Sequence, residues 1–272
     1  MPAATWIVAA LFLAAALTVY GRIVQHLRRF GGRVRTDLFD LPELLMSIVL
    51  ASSFAMLMIA SIRRQSEGEA ELRIDSVVPS SLLFVVMTAG ILAFLHFGRR
   101  LPISEIFGMR RLGLLLAAGW AVALLLAAFP LTGLANAFTL LALRDEFTPQ
   151  PLIELFSEVA RESDYLSVAK IFVAGVIIAP CCEEFLFRGF FYPVWKRYLG
   201  PIWAGLLACA LFAAFHTSLP ALAGLFVLAI CLNLAYERTG SLFVPIVMHA
   251  LFNFTSLLFL FVQARFSVFA GP

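Results

Sequence analysis

The stretch PCCEEFLFRGFF, residues 180–191, sets Glu183, Glu184 and Arg188 between an apolar run ending at Ile178 and the aromatic pair Phe190 and Phe191. Further on, His216 closes LFAAFH, and His249 with Asn253 forms HALFN, again inside apolar sequence. Ionisable groups at membrane depth cost roughly 2.5–3.5 kcal/mol each on insertion scales, so their presence points to function. A buried carboxylate, a histidine from a second helix and a His–Asn pair from a third suffice for water-mediated hydrolysis. One group takes a proton from water while the others donate hydrogen bonds to the oxyanion that forms. No serine or cysteine nucleophile is needed. Cys181 and Cys182 directly precede the glutamates, but adjacent carboxylates disfavour a thiolate.

Helical spacing gives the two carboxylates different work. At about 100° per residue, Arg188 falls roughly 40° around the helix from Glu184 and roughly 140° from Glu183, so it pairs with Glu184 and leaves Glu183 free. Pro180 suits the start of a helical segment, which puts both glutamates near a helix N-terminus whose partial positive charge favours carboxylates. His249 and Asn253, four apart, share one face of the last helix, as Phe212 and His216 share one face of an earlier helix. Glu184 and Arg188 read as a brace for the site, and Glu183, His216, His249 and Asn253 as its working groups. His26 and His96 stand beside arginines, where a snorkelling side chain is the simpler reading. Asn233 and Glu237 read as a helix contact and an interfacial charge.

The elements that position these residues are membrane helices. The 272-residue chain is 62% hydrophobic and 14% charged, with a mean hydropathy of +0.95, well outside the range of soluble domains. Runs long enough to cross about 30 Å of hydrocarbon predict an all-α polytopic bundle of about eight transmembrane helices. They lie near 4–21, 43–62, 80–98, 112–134, 165–180 continuing into 183–197, 201–217, 219–236 and 241–264. The first apolar run is followed by Arg22, Arg28 and Arg29 and not by a small-residue cleavage site, so it reads as a span and not as a removed signal. Residues 149–164, PQPLIELFSEVARESD, alternate apolar and acidic positions at helical spacing and predict an amphipathic helix at the interface. No repeat or linker divides the chain, so 1–272 reads as a single membrane domain, with N-terminal helices over 1–136 and the chemistry gathered in 165–256.

Basic residues report topology. Arg22, Arg28, Arg29, Arg33 and Arg35, then Arg99, Arg100, Arg110 and Arg111, then Arg188, Lys196 and Arg197, then Arg238 fall at alternate ends, and the opposite ends are acidic. The positive-inside rule places the first set in the cytoplasm, both termini outside and the CCEEFLFRGF end toward the cytoplasm. The net charge of +3 is not gathered in one patch, and no nucleic-acid partner is expected. The four cysteines, Cys181, Cys182, Cys209 and Cys231, have no metal-type spacing and read as small apolar fillers. A proton-coupled transporter would also use Glu and His at depth, but the missing two-fold repeat argues against it.

At these residues the chain resembles the CPBP (CAAX-processing and bacteriocin-processing) family of intramembrane proteases, also called type II CAAX prenyl endopeptidases or abortive-infection proteins. E-E-x-x-x-R appears as Glu183, Glu184 and Arg188, F-x-x-x-H as Phe212 and His216, and H-x-x-x-N as His249 and Asn253. EIFGMRR, before the fourth span, looks like a further family feature. The likeness covers about residues 165–256, and each motif alone is weak while three in order are specific. It implies an endopeptidase of a bacterial inner membrane whose site opens to the cytosolic side. Its substrate would be a membrane-associated peptide or protein, with prenylated CAAX-type substrates among the candidates and the lipid bilayer as its other partner. By position, Glu183 would activate water with His216, His249 and Asn253 would hold the oxyanion, and Glu184 and Arg188 would support the site. Some family members act in bacteriocin immunity or as membrane scaffolds, which is the alternative function.

Metal dependence stays open in the sequence. Glu183, His216 and His249 could supply three ligands to zinc with water as the fourth. No H-E-x-x-H helix is present, and using the one free carboxylate as a ligand would leave no separate base. The residues therefore favour metal-free hydrolysis, with zinc as the alternative cofactor.

Overall fold

The computed structural model describes residues 3–67, 73–143 and 151–269. The described residues are helical or connecting, with no strand. In chain order the principal helices are α1 (Ala3–Phe30), α2 (Leu41–Ser66), α3 (Ile74–Ala93), α4 (Leu114–Leu143) and α5 (Pro151–Arg161). They are followed by α6 (Tyr165–Phe215), α7 (Leu222–Thr239) and α8 (Phe243–Phe269).

Among the described residues, seven helices are long and apolar enough to cross a membrane. Sequence counting predicts about eight, and the difference lies in α6. The expected fifth and sixth spans follow one another without a loop in this 51-residue stretch, as two helices divided at Gly200, whose φ of 77° and ψ of 168° leave the helical region just before Pro201. Glycine adopts that backbone without strain, and proline then restarts the helix at its first position. Two arms, 165–199 and 201–215, result.

Pro180 behaves differently from expectation. The chain does not break there: Ile178, at φ −69° and ψ −54°, is helical. A wide π turn over Ala174–Ile178 leads into the Ala179–Glu184 helical segment, and a second π segment follows over Phe185–Phe191. Proline has no N–H and its ring crowds the carbonyl four residues back, and a π turn relieves both within a continuous helix. The glutamates consequently sit mid-helix and have no free helix N-terminus beneath them.

The predicted amphipathic segment is the helix α5, which packs on α8. Its Phe156 and Ala160 are fully buried, so its apolar face is covered by protein; residues 149 and 150 of that prediction lie outside the described residues. Asp164 caps the following helix by accepting from Ser167 N at 3.2 Å, and hydrogen bonds from the Ser167 side chain and backbone hold its carboxyl below the usual range.

Two of the apolar cores draw on both halves of the chain. One gathers Phe39, Phe54, Ile91 and Leu95 with Phe187, Phe191 and Phe212. The other sets Tyr20 and Ala121 against Leu228 and Val244. The loops 31–40, 99–113 and 240–242 are tied together at one end of the bundle. Leu242 N donates to Phe107 O at 2.9 Å and Arg33 N to Glu237 O at 3.0 Å, while Arg111 Nη1 donates to Arg33 O at 3.0 Å. This is the arginine-rich end. Arg188, which sequence counting assigned to it, lies instead inside the bundle.

Candidate active site

Three elements converge on Glu183. The first arm of α6 carries Glu183, Glu184 and Arg188, its second arm ends at Phe212 and His216, and α8 brings His249 and Asn253. Arg188 Nη1 donates to Glu184 Oε1 at 2.8 Å with both side chains buried, as the four-residue spacing predicts. Arg188 Nη2 donates to Ala229 O at 3.1 Å, and its guanidinium carbon lies 4.4 Å from the centre of the Phe212 ring. A charge in this setting survives because it is paired, hydrogen-bonded and stacked.

The same Glu184 Oε1 accepts from His249 Nδ1 at 2.9 Å. His216 Nδ1 lies 2.8 Å from Phe212 O. A backbone carbonyl can only accept, and so can a carboxylate paired with arginine, so both Nδ1 atoms carry their proton. Both Nε2 atoms then turn toward Glu183, each 3.9 Å from its Oε2. Glu183 Oε2 is buried and has no hydrogen-bond partner among the described residues. Two atoms so separated are too far apart to bond directly, and one water can sit about 2.8 Å from both. Phe212 holds the arrangement together, since its ring also packs on His216 at 4.9 Å and on His249 at 5.6 Å.

Asn253 is placed otherwise. Its Nδ2 donates to Gly175 O at 2.8 Å, a carbonyl in the π turn ahead of Pro180. The bond fastens α8 to the segment that leads into the glutamates.

The donor types Glu183, His216 and His249 match a zinc set, and the Nδ1 bonds are those that ligating histidines commonly make. The spacing does not match. Two ligand atoms on a tetrahedral zinc with bonds of 2.0–2.1 Å lie about 3.4 Å apart, less than the 3.9 Å from Glu183 Oε2 to either Nε2. Among the described residues no group of three or more His, Cys, Asp or Glu side chains is arranged to hold a metal ion.

Residues 166–255 match the family model described as Type II CAAX prenyl endopeptidase Rce1-like. They form an Rce1-like domain. Every residue of the three motifs falls inside it. Over 103 residues the chain is 34% identical to an Escherichia coli protein named Uncharacterized 24.3 kDa protein, covering 36% of this chain and 46% of that one. Over 91 residues it is 37% identical to UPF0177 protein YaiF of Lactococcus lactis subsp. lactis strain IL1403, covering 33% of this chain and 39% of the relative. The chain thus spans less than half the length of either relative. No solved structure matches it.

One polar cluster near the Rce1-like site corrects the reading of Glu237 as an interfacial charge. Glu237 is buried at 3% exposure. It accepts from Tyr192 Oη at 2.5 Å and Val34 N at 3.4 Å, and also pairs with Lys196. Tyr192 lies four residues beyond Arg188, so the cluster ties the loop at 31–40 to the helix that carries the glutamates. Sequence position gave no sign of it, because the partners of Glu237 come from two distant segments, the loop at Val34 and the helix with Tyr192 and Lys196.

Proposed function

We propose that the Rce1-like domain is an intramembrane endopeptidase that hydrolyses a peptide bond of a membrane-associated substrate, with Glu183 as general base and without a metal. The observation that carries this reading is the buried, unpartnered Glu183 Oε2 facing two histidine Nε2 atoms. A water held there donates one proton to Glu183 and one hydrogen bond to His216 Nε2, leaving an oxygen lone pair for the carbonyl carbon. Glu183 takes the proton as the new C–O bond forms. His249, when protonated on both nitrogens, donates Nε2–H to the oxyanion while Glu184 holds Nδ1–H, the geometry of a base oriented by a third group. On collapse the C–N bond breaks and Glu183 returns its proton to the leaving amine. Asn253 positions α8 through Gly175, and Glu184 and Arg188 hold His249.

Prenylated CAAX-type peptides belong to the substrate class that the family name suggests. The arginine-rich end faces the cytoplasm of a bacterial inner membrane, in keeping with the positive-inside rule. The test is to incubate purified protein in proteoliposomes with one peptide in prenylated and unprenylated forms and to locate any new terminus by mass spectrometry. A cut confined to the prenylated form supports this substrate class. Cutting of both forms keeps the protease and removes the lipid requirement, and no cut on a panel of such peptides counts against the proposal.

A further inference from the structure

We propose that the protein holds one anionic phospholipid at its arginine-rich end, with the phosphate set among Arg33, Arg111 and Arg238 and the acyl chains lying against α4 beside Trp120.

The three arginines are far apart in sequence and are brought together around Gly240. Gly240 ends α7 with a φ of 68°, and Gly108 turns with a φ of 59°, left-handed conformations that glycine adopts freely. The loops consequently approach closely. A Cβ added to Gly240 would run into Arg111 Nη1 and lie 2.9 Å from Arg33 Cβ. Arg238 stands two residues before Gly240, and its guanidinium carbon lies 5.5 Å from the centre of the Trp120 ring.

No carboxylate among the described residues neutralises this cluster. Asp37, Asp40, Glu43, Glu105 and Glu237 all lie at the same end, and each pairs with a basic residue other than these three. Arg111 gives one nitrogen to Arg33 O at 3.0 Å. The Arg33 and Arg238 guanidinium groups donate to no group among the described residues, so their donors are free for a ligand. Like charges gathered in this way repel one another, and an anion placed between them reverses the sign of the interaction. A phosphate suits the cluster, since its oxygens accept the paired N–H groups that each guanidinium presents.

The surroundings select a phosphate that belongs to a lipid. α4 is one of the helices long and apolar enough to cross a membrane, and tryptophan rings in such helices settle at headgroup level. Arg238 therefore meets Trp120 where a lipid phosphate meets its acyl chains. Leu116, four residues before Trp120 and on the same face, is exposed, as is its neighbour Leu115. Acyl chains cover such apolar surface and a free phosphate does not.

The experiment is native mass spectrometry of the full chain released from detergent, titrated with dioleoylphosphatidylglycerol and, separately, with dioleoylphosphatidylcholine. Two variants of equal charge are compared, each with its melting temperature. One carries Arg33→Gln with Arg238→Gln, side chains that make no hydrogen bond or ion pair within the fold. The other carries Arg64→Gln with Arg161→Gln, at the last turns of α2 and α5. The proposal predicts that wild type binds one phosphatidylglycerol more than tenfold more tightly than phosphatidylcholine. The first variant should lose most of that preference, at about fivefold per arginine, and the second should keep it. Equal affinity for the two lipids overturns the proposal, and so does an equal loss in both variants, which would mark a response to net charge alone. Displacement of the lipid by millimolar inorganic phosphate also overturns it, since the site would then serve the free anion. Should the first variant fail to fold, wild type is photolysed with a phosphatidylglycerol bearing a diazirine on one acyl chain. Adducts on α4 around Leu116 and Trp120 support the proposal, and adducts confined to other helices overturn it. Lipid binding needs no catalysis, so this result is independent of the protease reading.

Discussion

His249 Nδ1 and Glu184 Oε1 lie 2.9 Å apart, and this bond directs the opposite face of the imidazole to Glu183. One carboxylate therefore orients the histidine that the neighbouring carboxylate faces. Glu184→Gln keeps the shape but weakens the preference for a proton on Nδ1. It is expected to lower kcat by about tenfold to a hundredfold with KM nearly unchanged, as for loss of an interaction that matters in the transition state. An equal rise in KM with kcat intact would assign Glu184 to substrate binding instead.

Arg188→Ala acts on stability. It leaves Glu184 buried and half-paired and removes the stack on Phe212, a loss of about 3–5 kcal/mol for a buried pair broken on one side. Thermal unfolding in detergent should show a large drop. A melting temperature within a degree of wild type would mean that the pair is solvated.

The bond from Asn253 to Gly175 separates two roles for that amide. As a positioning group, Asn253→Ala should cost about 0.5–1.5 kcal/mol in stability, the usual net worth of one hydrogen bond, here to a part-buried carbonyl. Its kcat should fall by less than tenfold. A fall of about 10²–10³ in kcat with melting unchanged is the signature of an oxyanion donor, and would return Asn253 to the catalytic set.

Glu184 with Arg188 was legible in the sequence because four residues on one helix fix a geometry before any fold is known. The same holds for Phe212 with His216. The convergence of three motifs was legible only as order along the chain, since nothing local states that α8 meets α6. Pro180 misled because proline alone signals a break, whereas the π turn at Ala174–Ile178 absorbs it through backbone adjustments that leave no residue signature. Gly200 was legible: apolar runs on both sides read as two spans, and its non-helical φ and ψ divide two helices there. Gly175 as a partner for Asn253, and Tyr192 and Lys196 as partners for Glu237, depend on contacts between distant segments.

The Glu237 cluster gives a coupled prediction. A Cβ on Gly32 would run into Glu237 Oε2, so Gly32→Ala should displace that carboxylate and lower the melting temperature. Glu237→Gln should also lower it, by weakening the pairing with Lys196 and Tyr192. Because both changes act on one contact, the double variant should lose less than the sum. Strict additivity would place Gly32 and Glu237 apart.

Chelation tests the metal-free chemistry. Exhaustive treatment with two unrelated chelators should leave cleavage unchanged, and active purified protein should hold far less than one metal per chain. Activity lost on chelation and regained with zinc would require Glu183, His216 and His249 to close from their 3.9 Å spacing onto an ion.

The most direct measurement compares wild-type protein with Glu183→Gln on one membrane-anchored peptide, with melting followed in the same samples. Glutamine keeps the volume of the side chain and cannot accept a proton from water at neutral pH. Removing a general base costs about 10²–10⁴ in rate, so cleavage should fall at least that far while the melting temperature stays within a few degrees. Wild-type rates from a fully folded Glu183→Gln protein would contradict the account at its centre.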